Sequence, residues 1–157
     1  MSAPVEVAAG LLRDGEQVLV CQRRADASAH PLKWEFPGGK LEPGESPEAC
    51  LERELAEELG IRVTVGPRIA SVEHVYPNGP YVRVHFFAIT SHRGTIENRV
   101  FEQIRWLPIA RLCELDFLAA DRPLIELLRR REMLDTAARR HMLDSTGSRP
   151  RKTDEDR

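Results

Sequence analysis

No run of apolar residues approaches the roughly 18 needed to span a bilayer, so no membrane-spanning segment is expected. Cysteine is scarce and odd in number: Cys21, Cys50 and Cys113 stand far apart. That pattern fits neither a disulfide framework nor a zinc motif, and it suits a reducing cytoplasm. There is no excess of positive charge either. The 23 Lys and Arg are outweighed by 25 Asp and Glu, for a net charge of −2, which argues against a nucleic-acid polymer as partner. The opening MSAPVEVAAGLL lacks a basic start and is interrupted at Glu6, so it does not read as a secretory leader. Internal repeats are missing as well. With 157 residues and 41% hydrophobic content, a single domain with a real core is expected over residues 1–143, followed by a polar, disordered tail over 144–157.

What the chain does contain is concentrated in one stretch, GKLEPGESPEACLERELAEELGI, from Gly39 to Ile61. Ser46 followed by Pro47 predicts an N-cap with proline at the first helical position, and Gly60 predicts the residue that ends the helix. At about 100° per residue, Leu51, Leu55 and Leu59 form one apolar stripe. Glu54, Glu57 and Glu58 fall together on an adjoining arc, with Arg53 just beyond it. Three carboxylates near a helix C-terminus repel one another and the negative end of the dipole. A solvated acidic face would look like this. So would a site for a hard divalent cation, which turns the repulsion into attraction.

The wider pattern favours the cation. Gly39, Glu45 and the run Arg53-Glu54-Leu55-Ala56-Glu57-Glu58-Leu59-Gly60-Ile61 resemble the Nudix box at every defined position. Trp34-Glu35-Phe36-Pro37-Gly38 before it narrows the resemblance to the MutT-like nucleoside triphosphate pyrophosphohydrolases. The resemblance implies an α/β/α sandwich with a mixed sheet between helices. It also implies Mg²⁺, or Mn²⁺ in its place, held by Glu54, Glu57, Glu58 and the Gly38 carbonyl. Glu45 and Arg53 would brace the loop against the helix and so support catalysis. Arg24, Glu35, Phe36, Pro37, Gly38 and Asp121 would border the nucleotide. The implied reaction converts a nucleoside triphosphate to monophosphate and pyrophosphate, with 8-oxo-dGTP first, CTP next, and ADP-ribose or a dinucleoside polyphosphate behind. A non-catalytic nucleotide-binding regulator is the alternative from another class. The implied partner is the nucleotide alone, on a monomer or homodimer. Many MutT-like chains carry a further metal-ligand glutamate six residues before the tryptophan at Trp106. Here that place is Val100, with Glu97 and Glu102 nearby.

The remaining chain predicts strands over 5–13 and 17–24 joined by a turn at Arg13-Asp14-Gly15-Glu16. A loop follows to Lys33, with His30 read as a surface residue. Of Trp34 and Phe36, one is expected simply to fill the core. After Gly60 the period becomes two, predicting strands over 61–65, 69–76 and 81–91, with Pro77-Asn78-Gly79-Pro80 as a hairpin turn. A last strand is predicted over 104–107, then a short helix over 108–112 and a second long helix from Pro123 at least to Arg131. Asp121 reads from the residues alone as the N-cap of that helix, and from the resemblance as a contact to the base.

Overall fold

In a computed structural model, residues 2–146 are described. Strand β1 (Val5–Leu11) is central to one sheet, running parallel to β7 (Tyr81–Arg93) and antiparallel to β5 (Gly38–Lys40). The long β6 (Arg62–Val75) pairs antiparallel with β7 and completes the order β5-β1-β7-β6. In the second sheet, β3 (Gln17–Gln22) pairs along its length with β8 (Gln103–Pro108). On its other edge β3 meets the two short strands β2 (Arg13–Asp14) and β4 (Trp34–Glu35). Helices α1 (Pro47–Leu59) and α2 (Arg122–Thr146) cover opposite faces. The result is an α/β sandwich with a mixed sheet between helices.

The residues explain the layers. Leu51, Leu55 and Leu59 of α1 are wholly buried, together with Cys50, against Ala8, Leu19, Ile61 and Phe87. On the other side Leu124, Ile125 and Leu128 of α2 pack with Ala9, Val82, Val84 and Phe86. Along β7, alternation sends Val82, Val84 and Phe86 to one core and Phe87 to the other, as a period of two requires. The N-cap is formed as the sequence implies: Ser46 Oγ accepts from Ala49 N at 3.1 Å, and Gly60 turns left-handed at φ 68°.

Several expectations need correction. The predicted hairpin between residues 5–13 and 17–24 is real only at its tip, where Arg13 and Asp14 pair with Val18 and Gln17. β1 itself turns into the other sheet. Ala8 and Ala9 are buried on opposite faces, so β1 needs a partner on each edge, and a local hairpin supplies one. The two strands predicted over 61–76 are one strand, with register shifts between Thr64 and Ala70 where Gly66 and Pro67 interrupt the ladder. Of the two aromatics, Trp34 simply fills the core, as expected of one of them, while Phe36, also buried, faces the cavity. The short helix after β8 is a 3-10 turn, Ile109–Glu114. Helix α2 continues to Thr146, so residues 144–146 belong to it rather than to a tail; the rest of the expected tail lies outside the described residues. Among the described residues no helix is long and apolar enough to cross a membrane.

Candidate active site

A cavity of about 580 Å³ opens between the carboxylate arc of α1, strand β5, the loop after β3 and the start of α2. Its walls include Gly38, Glu54, Glu57 and Glu58, together with Glu35, Phe36, Tyr76 and Asp121. Arg23, Arg24, His30 and Lys40 also reach it. Pro37 does not. It is buried behind the wall, where its carbonyl accepts from Gly10 N at 2.9 Å. Glu45 and Arg53 are likewise off the wall. Glu97 and Glu102 stay off it too, whereas Val100 is on it. Glu97 pairs with Arg99 at 3.2 Å, and Glu102 accepts from Ala25 N at 3.2 Å.

The acidic arc is better balanced than the helix wheel suggested. Arg53 sits among four carboxylates. Nε and Nη2 grip Glu45 at 2.9 and 2.8 Å, while Nη1 reaches Glu54 at 2.9 Å, Glu57 at 3.6 Å and Glu42 at 3.8 Å. This fork holds the Glu45 carboxyl well below its ordinary range, at about 2. Glu58 has no arginine beside it among the described residues, only a Gly38 backbone N–H that lowers its pKa against the larger effects. It is 8% exposed, and burial, then the neighbouring Glu35 and Glu54 charges, push its carboxyl up to about 9. Its Oε1 is buried and, among the described residues, has no hydrogen-bond partner.

These features fit a divalent cation. Glu58 offers a buried oxygen that no other described residue satisfies, and a cation is a partner that would satisfy it. Gly39 leaves the space that the Glu54 carboxylate fills; a Cβ there would overlap it. All the donors are hard oxygens, suited to Mg²⁺ or Mn²⁺ rather than to softer metals. Among the described residues no three His, Cys, Asp or Glu side chains already converge as a metal cluster. The Arg53 contacts give a reason, since Glu54 and Glu57 point at the guanidinium and a cation must draw them from it.

Asp121 is 4% exposed, and its Oδ2 accepts from Phe36 N at 3.1 Å. Among the described residues, no hydrogen bond from the first turn of α2 reaches it, so Asp121 ties the segment before α2 to Phe36, just after β4, rather than acting as a plain helix cap. Burial raises its carboxyl well above the usual range, with the Glu35 charge adding to this and the Phe36 N–H opposing it. Glu35 is also raised by burial, and Arg23 at 3.3 Å pulls it back. Arg24 is more exposed and pairs with Asp26 at 3.0 Å.

Sequence reasoning passed over Arg23, His30 and Tyr76. Arg23 was the buried-edge half of an Arg-Arg pair whose two members look alike in sequence. His30 is partly exposed, as expected of a surface residue, yet it also takes φ 51° in the loop, packs tilted against Tyr76 with ring centroids 4.6 Å apart, and lines the cavity. Burial, then Arg23 and Lys33, lower its pKa and favour the neutral ring. Tyr76 accepts from Ala120 N at 3.2 Å, which anchors the hairpin end to the segment before α2.

A cavity with apolar walls and a few convergent polar and charged groups has the form of a small-molecule site. The chain belongs to the NUDIX family, whose domain profile matches residues 3–128. It is 34% identical over 122 residues to the CTP pyrophosphohydrolase of Escherichia coli, covering 78% of this chain and 89% of that one. It is 32% identical over 127 residues to the 8-oxo-dGTP diphosphatase of the same organism, covering 80% and 97%. Among solved structures, that of the E. coli ORF135 protein superposes with a TM-score of 0.69 at 34% identity, over 78% of this chain and 86% of that one. The chain is thus a hydrolase of this family, and the expected mixed-sheet sandwich is the fold it shares with its relatives.

Proposed function

We propose that the protein is a divalent-metal-dependent pyrophosphohydrolase that cleaves nucleoside triphosphates to the monophosphate and pyrophosphate, with 8-oxo-dGTP as its leading substrate. The observation that carries this reading is Glu58, a buried carboxylate with an oxygen unpartnered among the described residues, set beside Glu54 and Glu57 on the wall of the cavity. Relatives named for this chemistry support it.

In this reading Glu54, Glu57, Glu58 and the Gly38 carbonyl hold the cation, Mg²⁺ by preference and Mn²⁺ in its place. When bound, the cation supplies charge neutralisation of the polyphosphate and a lowered pKa for the attacking water. The chain's own groups do the rest. Arg24, with Arg23 beside it, faces the phosphates, and a carboxylate of α1 accepts the proton from water. Phe36 and Tyr76 flank the base, and Asp121 offers its carboxyl to the base edge. Glu45 and Arg53 keep the loop before α1 in register with the helix. The setting we assign is the cytoplasm, with removal of oxidised nucleotides from the precursor pool as the role.

The experiment is a panel of 8-oxo-dGTP, dGTP, CTP and ADP-ribose with Mg²⁺, reading kcat/KM and the phosphate product. Pyrophosphate release with 8-oxo-dGTP far ahead is the expected result. CTP ahead would favour the second reading, which the CTP pyrophosphohydrolase relative supports. Nucleotide binding without turnover would replace both with a regulator.

A further inference from the structure

The last turn of α1 carries Glu57 and Glu58 but no basic residue of its own. Left alone, it would combine unpaired terminal carbonyls, the negative dipole end and two carboxylates. The missing partners come from far along the chain, from residues 97–102 between β7 and β8. Glu97 N donates to Leu59 O at 2.9 Å, Arg99 N to Glu58 O at 3.1 Å, and Arg99 Nη1 to Ala56 O at 3.4 Å. The guanidinium lies against Gly60, where a Cβ would come within 2.7 Å of Nη2. The loop is itself stiffened by Asn98, which donates to Phe101 O at 2.9 Å and accepts from Phe101 N at 2.8 Å. Its far end faces the substrate side. Val100 and Phe101 line the cavity, and Glu102 holds Ala25 N, next to Arg24.

We propose that Arg99 is a positioning residue for the metal site. By closing the C-terminus of α1 it fixes where Glu57 and Glu58 stand relative to the cavity wall, and so sets how tightly the site holds a divalent cation. Arg99 is not on that wall itself. Two effects oppose each other here. A guanidinium near the site repels a cation, so charge alone predicts tighter binding once it is removed. Ordering predicts the reverse, because a frayed last turn must be organised again each time a cation binds. Ordering wins. The side chain is half exposed and already paired with Glu97, so its field is screened, while its hydrogen bonds act within the turn that bears the ligands.

This inference rests on α1 being the cation site, and the test separates the two claims. Mn²⁺ binding to the full chain is followed by EPR of the free ion, at a temperature where circular dichroism shows every variant folded. Arg99→Ala is expected to weaken Mn²⁺ binding about five- to tenfold, the size of a modest coupling between sites. Arg99→Lys, which keeps the charge but loses the fork, should fall between it and wild type. Arg111→Ala, which removes an exposed ion pair with Glu114, should leave Mn²⁺ affinity unchanged even if melting falls. Unchanged or tighter binding in Arg99→Ala overturns the inference. No Mn²⁺ binding by the wild-type protein overturns the reading of α1, and this inference with it.

Discussion

Replacing Glu58 by glutamine should stabilise the metal-free protein while abolishing its activity. The side chain is buried, and its carboxyl titrates near 9 in the fold, against 4.5 for the free group. A raised carboxyl pKa means that the folded state holds the proton more tightly than the unfolded one. That contribution to stability is whole below pH 4.5 and drains away as pH rises through 9. Each pH unit between those limits costs about 1.4 kcal/mol. At pH 7 the accumulated cost is about 3 kcal/mol, or roughly 6–12 °C in Tm for a chain of this size. Glutamine has nearly the same shape, carries no titrating proton, and can donate to Glu54 as the protonated acid does. The difference in Tm between Glu58→Gln and wild type should therefore be near zero at pH 4.5 and grow steadily toward pH 8. The assay is thermal melting by circular dichroism in excess chelator across that range. Parallel Tm curves for the two proteins would refute the argument, because they would mean that Glu58 ionises freely in the fold. In Mg²⁺ the sign should invert, since only the wild-type carboxylate gains from the cation.

Chelator should abolish turnover, and Mg²⁺ or Mn²⁺ should restore it; at a hundred times its Kd the ion should add about 2.7 kcal/mol of stability, read as a rise in Tm. Arg53→Ala should lower kcat/KM by about a hundredfold through misplacement of the loop and arc, measured by pyrophosphate release. The same variant should lose the acid-side stability that wild type retains above pH 4.5 and gives up toward pH 2, because Glu45 no longer has its guanidinium. Asp121→Asn should keep an acceptor for Phe36 N and hence stability, while shifting the ratio of kcat/KM between purine and pyrimidine triphosphates. Asp121→Ala should strand that buried N–H at a cost of about 1–3 kcal/mol and lose selectivity as well, both read from melting curves beside the nucleotide panel.

The helix that carries the site was legible because its signals are local. Ser46, Pro47, the leucine stripe and Gly60 each act within a few residues, and the structure places each of them as the pattern demands. The long-range partners were not legible. β1 and its hairpin neighbour alternate much as any two paired strands would, and only burial on both faces sends β1 to β7 instead. The same limit applied within the site. The period of α1 puts Glu54, Glu57 and Glu58 on one arc, but nothing in that period reveals that Arg53 pairs with two of them while Oε1 of the third, among the described residues, has no partner. Nor could Asp121 be separated from a helix cap, since its partner Phe36 lies 85 residues away in sequence. The place of His30 on the cavity wall was not legible because a loop with two positive-φ side chains, His30 and Leu32, follows no periodic rule.

The parallel pairing of β1 with β7 also governs the order in which the molecule can be made. β1 is synthesised first, yet Val5 meets Val82 and Leu11 meets Ala88, so about half the chain must exist before that pairing can form. Helix α1 and the β6–β7 hairpin need only their own neighbourhoods and can form early. Closing a loop of more than seventy residues carries an entropic penalty that those local elements do not face, which places the docking of β1 late in folding. β1 also anchors β5, the strand that brings Gly38 and Gly39 to the carboxylates. A nascent chain halted before residue 82 would carry the acidic helix segment but no cavity for it to serve.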